Sequence, residues 1–306
     1  MKKTISLLGL LAGLSVSAVA ETLWVYGVSE HGGWYDADKV SSTTDLNKCW
    51  AAVSANLINW WQNQYQIPKT FDYYGTTYTI PDEDAVWAKY REKTRTVMSN
   101  VELGVDWWWS GRNTNNEFDN DSFTGSPDCW FYYTYLCMPG MGIKHKRADY
   151  LKIIEPEKTD LSVYLYQALT TNDARKGIGI NVGSSQNASL HGVTMWGAEF
   201  DDNKKLTALW LTDSDDNILN KVGENGSAVD LGLFKVNVEY TDKGLYLADY
   251  WYQEASIIES ITVLDAAATD AWTMERIYLT PPIPEPTTAT LSLLALSAMA
   301  ARRRRK

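Results

Sequence analysis

The chain has 306 residues, with 28 Lys and Arg against 38 Asp and Glu, and 45% of its residues are hydrophobic, 14 Trp and 18 Tyr among them. That length supports one domain with a sizeable core. A formal net charge of −10 argues against nucleic acid or an acidic polymer as the partner.

The first twenty residues, MKKTISLLGLLAGLSVSAVA, hold two lysines, a short apolar run and a small-x-small ending at Ala18-Val19-Ala20. These are the three parts of a secretory signal peptide, with cleavage expected before Glu21. The apolar run is short for a membrane span, and the alternative is an uncleaved N-terminal anchor. The motif GWYDADK (33–39) follows in a region of no clear periodicity. Next, TTDLNKCWAAVSANLINWWQNQ (43–64) predicts a helix, with apolar positions at Val53, Leu57, Trp60 and Trp61 spaced three and four apart. Thr44, Asp45 or Asn47 is available as its N-cap, which puts Cys49 in the first turn or two. Backbone N–H groups and the positive end of the helix dipole favour a thiolate there.

A second, acid-capped helix is expected over 81–100, followed by the run Trp107-Trp108-Trp109, a polar loop at 111–128 and the aromatic stretch CWFYYTYLC (129–137). The middle of the chain, 65–157, gives no role from sequence, and is read as a lobe packing on the Cys49 helix. Cys129 and Cys137 are eight residues apart and spaced to close a small loop. In an oxidising compartment that leaves Cys49 as the free thiol. The abundant aromatics are read mainly as core and lobe packing, with sugar-stacking platforms as the alternative.

Beyond residue 157 a helix is expected over 159–169 and strands near 177–183, 190–200, 206–213, 231–239 and 257–264. Strands 190–200 and 206–213 flank the polar cluster DDNKK, so they predict a hairpin centred near residue 203. Opposed residues then sum to about 404–406, which places His191 opposite residues 213–215, and opposed Cβ atoms lie about 5 Å apart. A His held by Asp213 or Asp215 is half of a catalytic triad, and Cys49 supplies a nucleophile from a distant helix start. His31 and His145 have no matching partner and are expected to be exposed. Trp196 reads as core beside the His strand.

The C-terminal stretch PIPEPTTATLSLLALSAMAARRRRK carries Pro284-Glu285-Pro286, an apolar segment over 287–301 and a basic end over 302–306. It looks like the PEP-CTERM sorting signal of Gram-negative exported proteins. That resemblance implies an exosortase-type processing enzyme as partner, export across the inner membrane, and a surface-associated or released product. A retained anchor is the alternative. Residues 1–20 and 287–306 hold seven of the 28 basic residues and no acidic one, so residues 21–286 have 21 basic against 38 acidic, a net of −17. Membrane contact is expected only through the two ends, and the organisation is signal peptide 1–20, catalytic domain 21–280 and sorting tail 281–306.

Three blocks then converge on one family. GWYDADK (33–39), the Cys49 helix ending NLINWW (56–61) and HGVTMWGAEFDDNKKLTALWLTDSDDN (191–217) stand in order, ten residues separating Lys39 from Cys49 and 22 separating His191 from Asp213. On these the chain resembles the IdeS/Mac-type immunoglobulin-degrading cysteine endopeptidases. The resemblance implies an α+β, papain-like two-lobed fold with a catalytic helix against an antiparallel β-sheet. It also implies Cys49 as nucleophile, His191 as general base, Asp213 as the residue orienting His191, Asp215 as a second supporting acid and Lys39 as part of the oxyanion hole. No cofactor or metal is called for. Trp50 departs from the streptococcal members, which carry Gly there; papain carries Trp.

Each residue has a plainer reading beside this one. Asp213 and Asp215 also fit turn acids or oxygen ligands for Ca²⁺ in the run DSDDN, and Lys39 on its own reads as a surface lysine. The substrate expected is a host or environmental protein or glycoprotein, immunoglobulin among them. A non-catalytic surface glycan- or protein-binding module and an acyl transferase on the same fold are the competing readings.

Overall fold

In the computed structural model the described residues are 21–40, 43–64, 70–73, 76–79, 83–94, 99–110, 151–171, 175–183, 190–215, 231–242, 244–248, 250 and 256–265. The signal-peptide and sorting-tail expectations lie outside these, as do His145, Cys129 and Cys137 with their proposed loop. Cys49 is a free thiol.

Four described helices, α1 (Cys49–Gln64), α2 (Glu83–Lys93), α3 (Val101–Ser110) and α4 (Leu161–Thr170), accompany ten strands. The strands are β1 (Glu21–Trp24), β2 (Thr70–Tyr73), β3 (Thr76–Thr79), β4 (Leu151–Ile154), β5 (Lys176–Gly183), β6 (Leu190–Phe200), β7 (Leu206–Thr212), β8 (Phe234–Thr241), β9 (Gly244–Leu247) and β10 (Ile257–Asp265). This is an α+β architecture. All pairings among the described strands are antiparallel, and those of β5 through β10 close on themselves: β6 pairs with both β5 and β7, and β10 with both β5 and β9. β1 continues the edge of β6 beyond β5, and β4 flanks β10. β2 and β3 form a separate hairpin.

Helix α1 is buried on every face rather than along one stripe. Trp50, Leu57, Ile58, Trp60 and Trp61 are all within 2% of full burial, as expected of a helix enclosed between layers. On one side it lies against β5 and β6. There the strand offers Gly177 and Gly179, whose added Cβ atoms would come within 2.9 Å of the Trp60 ring and 2.9 Å of Val53. On the other side sit α2 and α3, where Tyr90 stacks on Trp108 at 5.6 Å and donates to the Gly104 carbonyl at 2.9 Å. Complete burial of Leu57 or Ile58 contributes about 2 kcal/mol each, so α1 is the natural centre of the core.

Several expected boundaries shift. The helix predicted from residue 43 begins at Cys49, because Asn47 takes φ 62° and the chain turns there; the Lys48 carbonyl accepts the first helical bond, from Ala52. Asp45, a candidate cap, instead binds Arg91 of α2 at 3.1 Å and the Val40 amide at 3.2 Å. The single helix expected over 81–100 stops at Lys93, where the Thr94 hydroxyl closes on the Tyr90 carbonyl at 2.6 Å. A separate α3 then carries the tryptophan run. β8 lies a few residues beyond the expected 231–239 and turns through Gly244 (φ 133°) into β9, which the sequence reading lacks.

Candidate active site

The site is built where the start of α1 meets the start of β6. Gly192 permits the approach: a Cβ there would stand 3.2 Å from the Trp50 Cα and 3.3 Å from the Trp50 nitrogen. The segment bearing Lys39 is threaded beside it by polar contacts buried in the core. Asn56 of α1 accepts from the Ala37 amide at 2.9 Å and donates to Thr194 of β6 at 2.9 Å. Thr212 of β7 donates to the Tyr35 carbonyl at 3.0 Å, and the Lys39 amide donates to the Ser214 carbonyl at 3.0 Å. Buried polar groups matched in this way tolerate little displacement.

His191 and Asp213 do meet, but not as directly opposed hairpin partners. The β6–β7 register runs Thr194↔Thr212 and Met195↔Leu211, then shifts by one at a bulge after Met195. Continued past Thr212, that ladder would set His191 against residue 215. Instead β7 ends at Thr212, one residue short of the expected 213, because the Asp213 carboxylate accepts the Asp215 amide at 3.0 Å and turns the chain. The turn swings Asp213 onto His191 Nε2 at 2.7 Å and leaves Asp215 Oδ2 3.7 Å from Nδ1. Lys39 Nζ closes the cluster in an ion pair with Asp215. Lys39 and Asp215 are both nearly buried, so Lys39 is no surface lysine. With Nε2 engaged by Asp213, Nδ1 is the ring nitrogen left to Cys49.

The electrostatics follow from this packing. Cys49 is only 6% exposed. Burial by itself pushes its thiol up, but the charge and hydrogen bond of His191, aided by the Lys39 ammonium, outweigh burial and hold it below the ordinary thiol value. Burial disfavours the His191 imidazolium, and the charges of Asp213 and Cys49 with their hydrogen bonds more than reverse this, raising His191 from 6.5 to about 10. The favoured pair is therefore thiolate and imidazolium. His191, Asp213 and Asp215 bring ligand-capable atoms within 4.8 Å of one another. A cation there would have to compete with the Lys39 ammonium for Asp215 and with the His191 ring for Asp213.

A match to the Mac-1 family extends over residues 24–96 and 166–251, more than half of the chain. The chain belongs to the Mac-1 family. The two matched stretches include Lys39, Cys49, His191, Asp213 and Asp215, and the break between them covers α3 and β4. Within the curated proteins, the IgM protease of Streptococcus suis (strain P1/7) is 24% identical over 205 residues. That alignment covers 60% of this Mac-1 chain but only 18% of the streptococcal protein.

Two kinds of site residue escape a sequence reading. Asn56 and Thr194 are buried polar residues at helix and strand positions, and only a partner far along the chain explains them; a polar residue inside an apolar periodic pattern is the signal they leave. Tyr250 leaves no signal at all. Its hydroxyl donates to Asp213 Oδ2, and it is one tyrosine of 18. The plainer expectations for Trp196 and His31 agree with the structure, since Trp196 is fully buried and His31 lies at the surface.

Proposed function

We propose that the chain is an exported, papain-like cysteine endopeptidase that cleaves peptide bonds of a protein or glycoprotein, immunoglobulin being the first candidate. The observation that carries this is the buried set at the head of α1: a thiol held below its ordinary pKa, an imidazole with Asp213 on one nitrogen, and a lysine ammonium beside them. A binding module needs no such set. The Mac-1 match and the likeness to a protein named an IgM protease support the choice of peptide substrate.

In this reading the Cys49 thiolate attacks the scissile carbonyl carbon and an S–C bond forms. The oxyanion is stabilised by the Cys49 amide and the Lys39 ammonium, donors often worth about 3 kcal/mol each. The imidazolium passes its proton to the departing amine as the C–N bond breaks. His191 then takes a proton from water, the resulting hydroxide attacks the thioester, and the thiolate is released. Asp213 holds the imidazole in the tautomer both steps require, and Asp215 holds Lys39. The signal-peptide and PEP-CTERM-like ends support delivery to the outer surface or medium, with an exosortase-type enzyme processing the tail.

The test is to incubate the protein with immunoglobulins, mucins and casein and to sequence new amino termini. Cleavage is expected from the native chain and not from a folded Cys49→Ala variant. Cleavage persisting in that variant would overturn the mechanism, and isopeptide-linked products in place of new termini would favour acyl transfer.

A further inference from the structure

Tyr250 is 4% exposed and reaches the site from an element that carries none of the five residues above. It lies just past β9, where, among the described residues, the ring of strands is closed by one register pair, Ile257↔Tyr246, and by the Leu247 amide on the Ser256 carbonyl at 2.9 Å. Its ring stacks on Phe234 of β8, centroids 6.0 Å apart and planes at 25°. Its carbonyl accepts the Ser256 hydroxyl. The residue is thus fixed at ring and backbone, and its hydroxyl ends on Asp213 Oδ2. Asp213 Oδ1 meanwhile faces His191 Nε2 at 2.7 Å and the Asp215 amide at 3.0 Å.

We infer that Tyr250 is a positioning residue of the thiol site, its hydroxyl holding the Asp213 carboxylate in the plane that accepts from His191 Nε2 and leaves Nδ1 to Cys49. This rests on the thiol-peptidase reading above. Packing alone does not explain it, because a phenylalanine would stack on Phe234 equally well. Three segments distant in sequence, β6, the turn after β7 and the chain after β9, converge on one carboxylate. A carboxylate held from one oxygen only can swing about its Cα–Cβ and Cβ–Cγ bonds, and His191 would swing with it.

The hydroxyl also moderates charge. A donor on Oδ2 draws density from Asp213, lessening both its pull on the imidazolium proton and its repulsion of the thiolate. Tyr250 stays a donor at any working pH. Burial first, then the Asp213 charge and hydrogen bond, push its phenol well above the ordinary tyrosine value. The titratable and charged groups that face His191 among the described residues are Cys49 of α1, Lys39 before it, Asp213 and Asp215 after β7, and Tyr250 after β9. Tyr250→Phe removes one donor and leaves the other four in place.

The experiment measures the rate of iodoacetamide alkylation of Cys49 against pH in the full chain and in Tyr250→Phe, with Cys49→Ala giving the background from the other two cysteines. With the donor gone, both steps of the profile, thiolate formation and imidazolium deprotonation, are expected to move to higher pH by roughly half a unit. Peptide cleavage should lose about tenfold in kcat with KM within about twofold. A profile superimposable on that of the native chain would overturn the positioning role. A native chain with no reactive thiolate at near-neutral pH would instead overturn the peptidase reading, so the two failures are distinguishable. If Tyr250→Phe does not fold, 3-fluorotyrosine placed at position 250 keeps the shape and makes a stronger donor. It should move both steps downward, and an unmoved profile there would equally overturn the inference.

Discussion

At the scale of single residues, the site is a set of charges that burial alone would forbid. Cys49, His191, Asp213, Asp215 and Lys39 are all within 6% of full burial, and each is tolerable only because its neighbour carries the opposite charge. This couples folding to pH in a definite sense. His191 is raised from 6.5 to about 10, so its contribution is complete below 6.5, declines as pH rises from there, and is gone above about 10. Cys49 is lowered and acts oppositely: its contribution is present above the ordinary thiol value and is lost as pH falls through its folded value. Replacing Cys49 with alanine isolates the histidine. Urea unfolding of Cys49→Ala between pH 7 and 9 should lose stability by up to about 1.4 kcal/mol per pH unit, and adding Asp213→Asn should flatten that slope. Equal slopes in the two proteins would show that Asp213 does not hold the imidazolium proton. The gathering of these residues was legible at this scale: spacing and resemblance single out Cys49, His191, Asp213, Asp215 and Lys39, and the structure brings the five together. Tyr250 was not legible, because a hydroxyl donor from a distant turn obeys no period.

At the scale of elements, what matters is how closely α1 can lie on β5 and β6. Gly177 and Gly179 set the distance along the helix and Gly192 sets it at the helix start, and overpacking such contacts costs about 1–3 kcal/mol. Gly192→Ala and Gly179→Ala should therefore destabilise by similar amounts in thermal or urea unfolding. Only Gly192→Ala should slow Cys49 alkylation severalfold, since its Cβ pushes against the Trp50 backbone beside the Cys49 thiol, whereas Gly179→Ala strains Val53 and Val101 farther along. Equal slowing in both would mean that the thiolate senses global strain rather than local spacing. Strands β5, β6 and β10 were legible to within a residue, because long apolar runs leave little choice of register. The start of α1 was legible only in part: Cys49 stands in the first turn as expected, but Asn47 breaks the helix with a backbone conformation its side-chain type only permits, so none of the described residues before Cys49 is helical. The end of β7 was displaced for a similar reason: Asp213 reads as strand by position, but its carboxylate finds the Asp215 amide and bends the chain. The contact expected with His191 is therefore present by a different route, through a turn in place of a ladder rung.

At the scale of the whole molecule, the ring of strands is unevenly joined. β5 pairs with β10 along eight register positions and with β6 along six, while among the described residues β9 and β10 share one register pair, Ile257↔Tyr246, with the Leu247 amide on the Ser256 carbonyl beside it. Local opening draws on the least-supported contacts first, so the ring should part at the β9–β10 junction before it parts elsewhere. Tyr250 hangs from this junction, with its carbonyl on Ser256 and its hydroxyl on Asp213. The most sparsely paired seam among the described strands is thus tied to the carboxylate that binds the His191 ring. Native-state hydrogen exchange should show the Leu247 amide exchanging by local opening, while the amides of β5 and of the central part of β6 exchange only with global unfolding. Ser256→Ala removes one tie of that seam without touching the site. It should speed Leu247 exchange further and shift the pH profile of Cys49 alkylation in the direction expected for Tyr250→Phe, by a smaller amount. A faster Leu247 amide with an unmoved profile would show that the seam and the thiol site open independently. A Leu247 amide protected to the global limit would show that the ring has no weak seam at all.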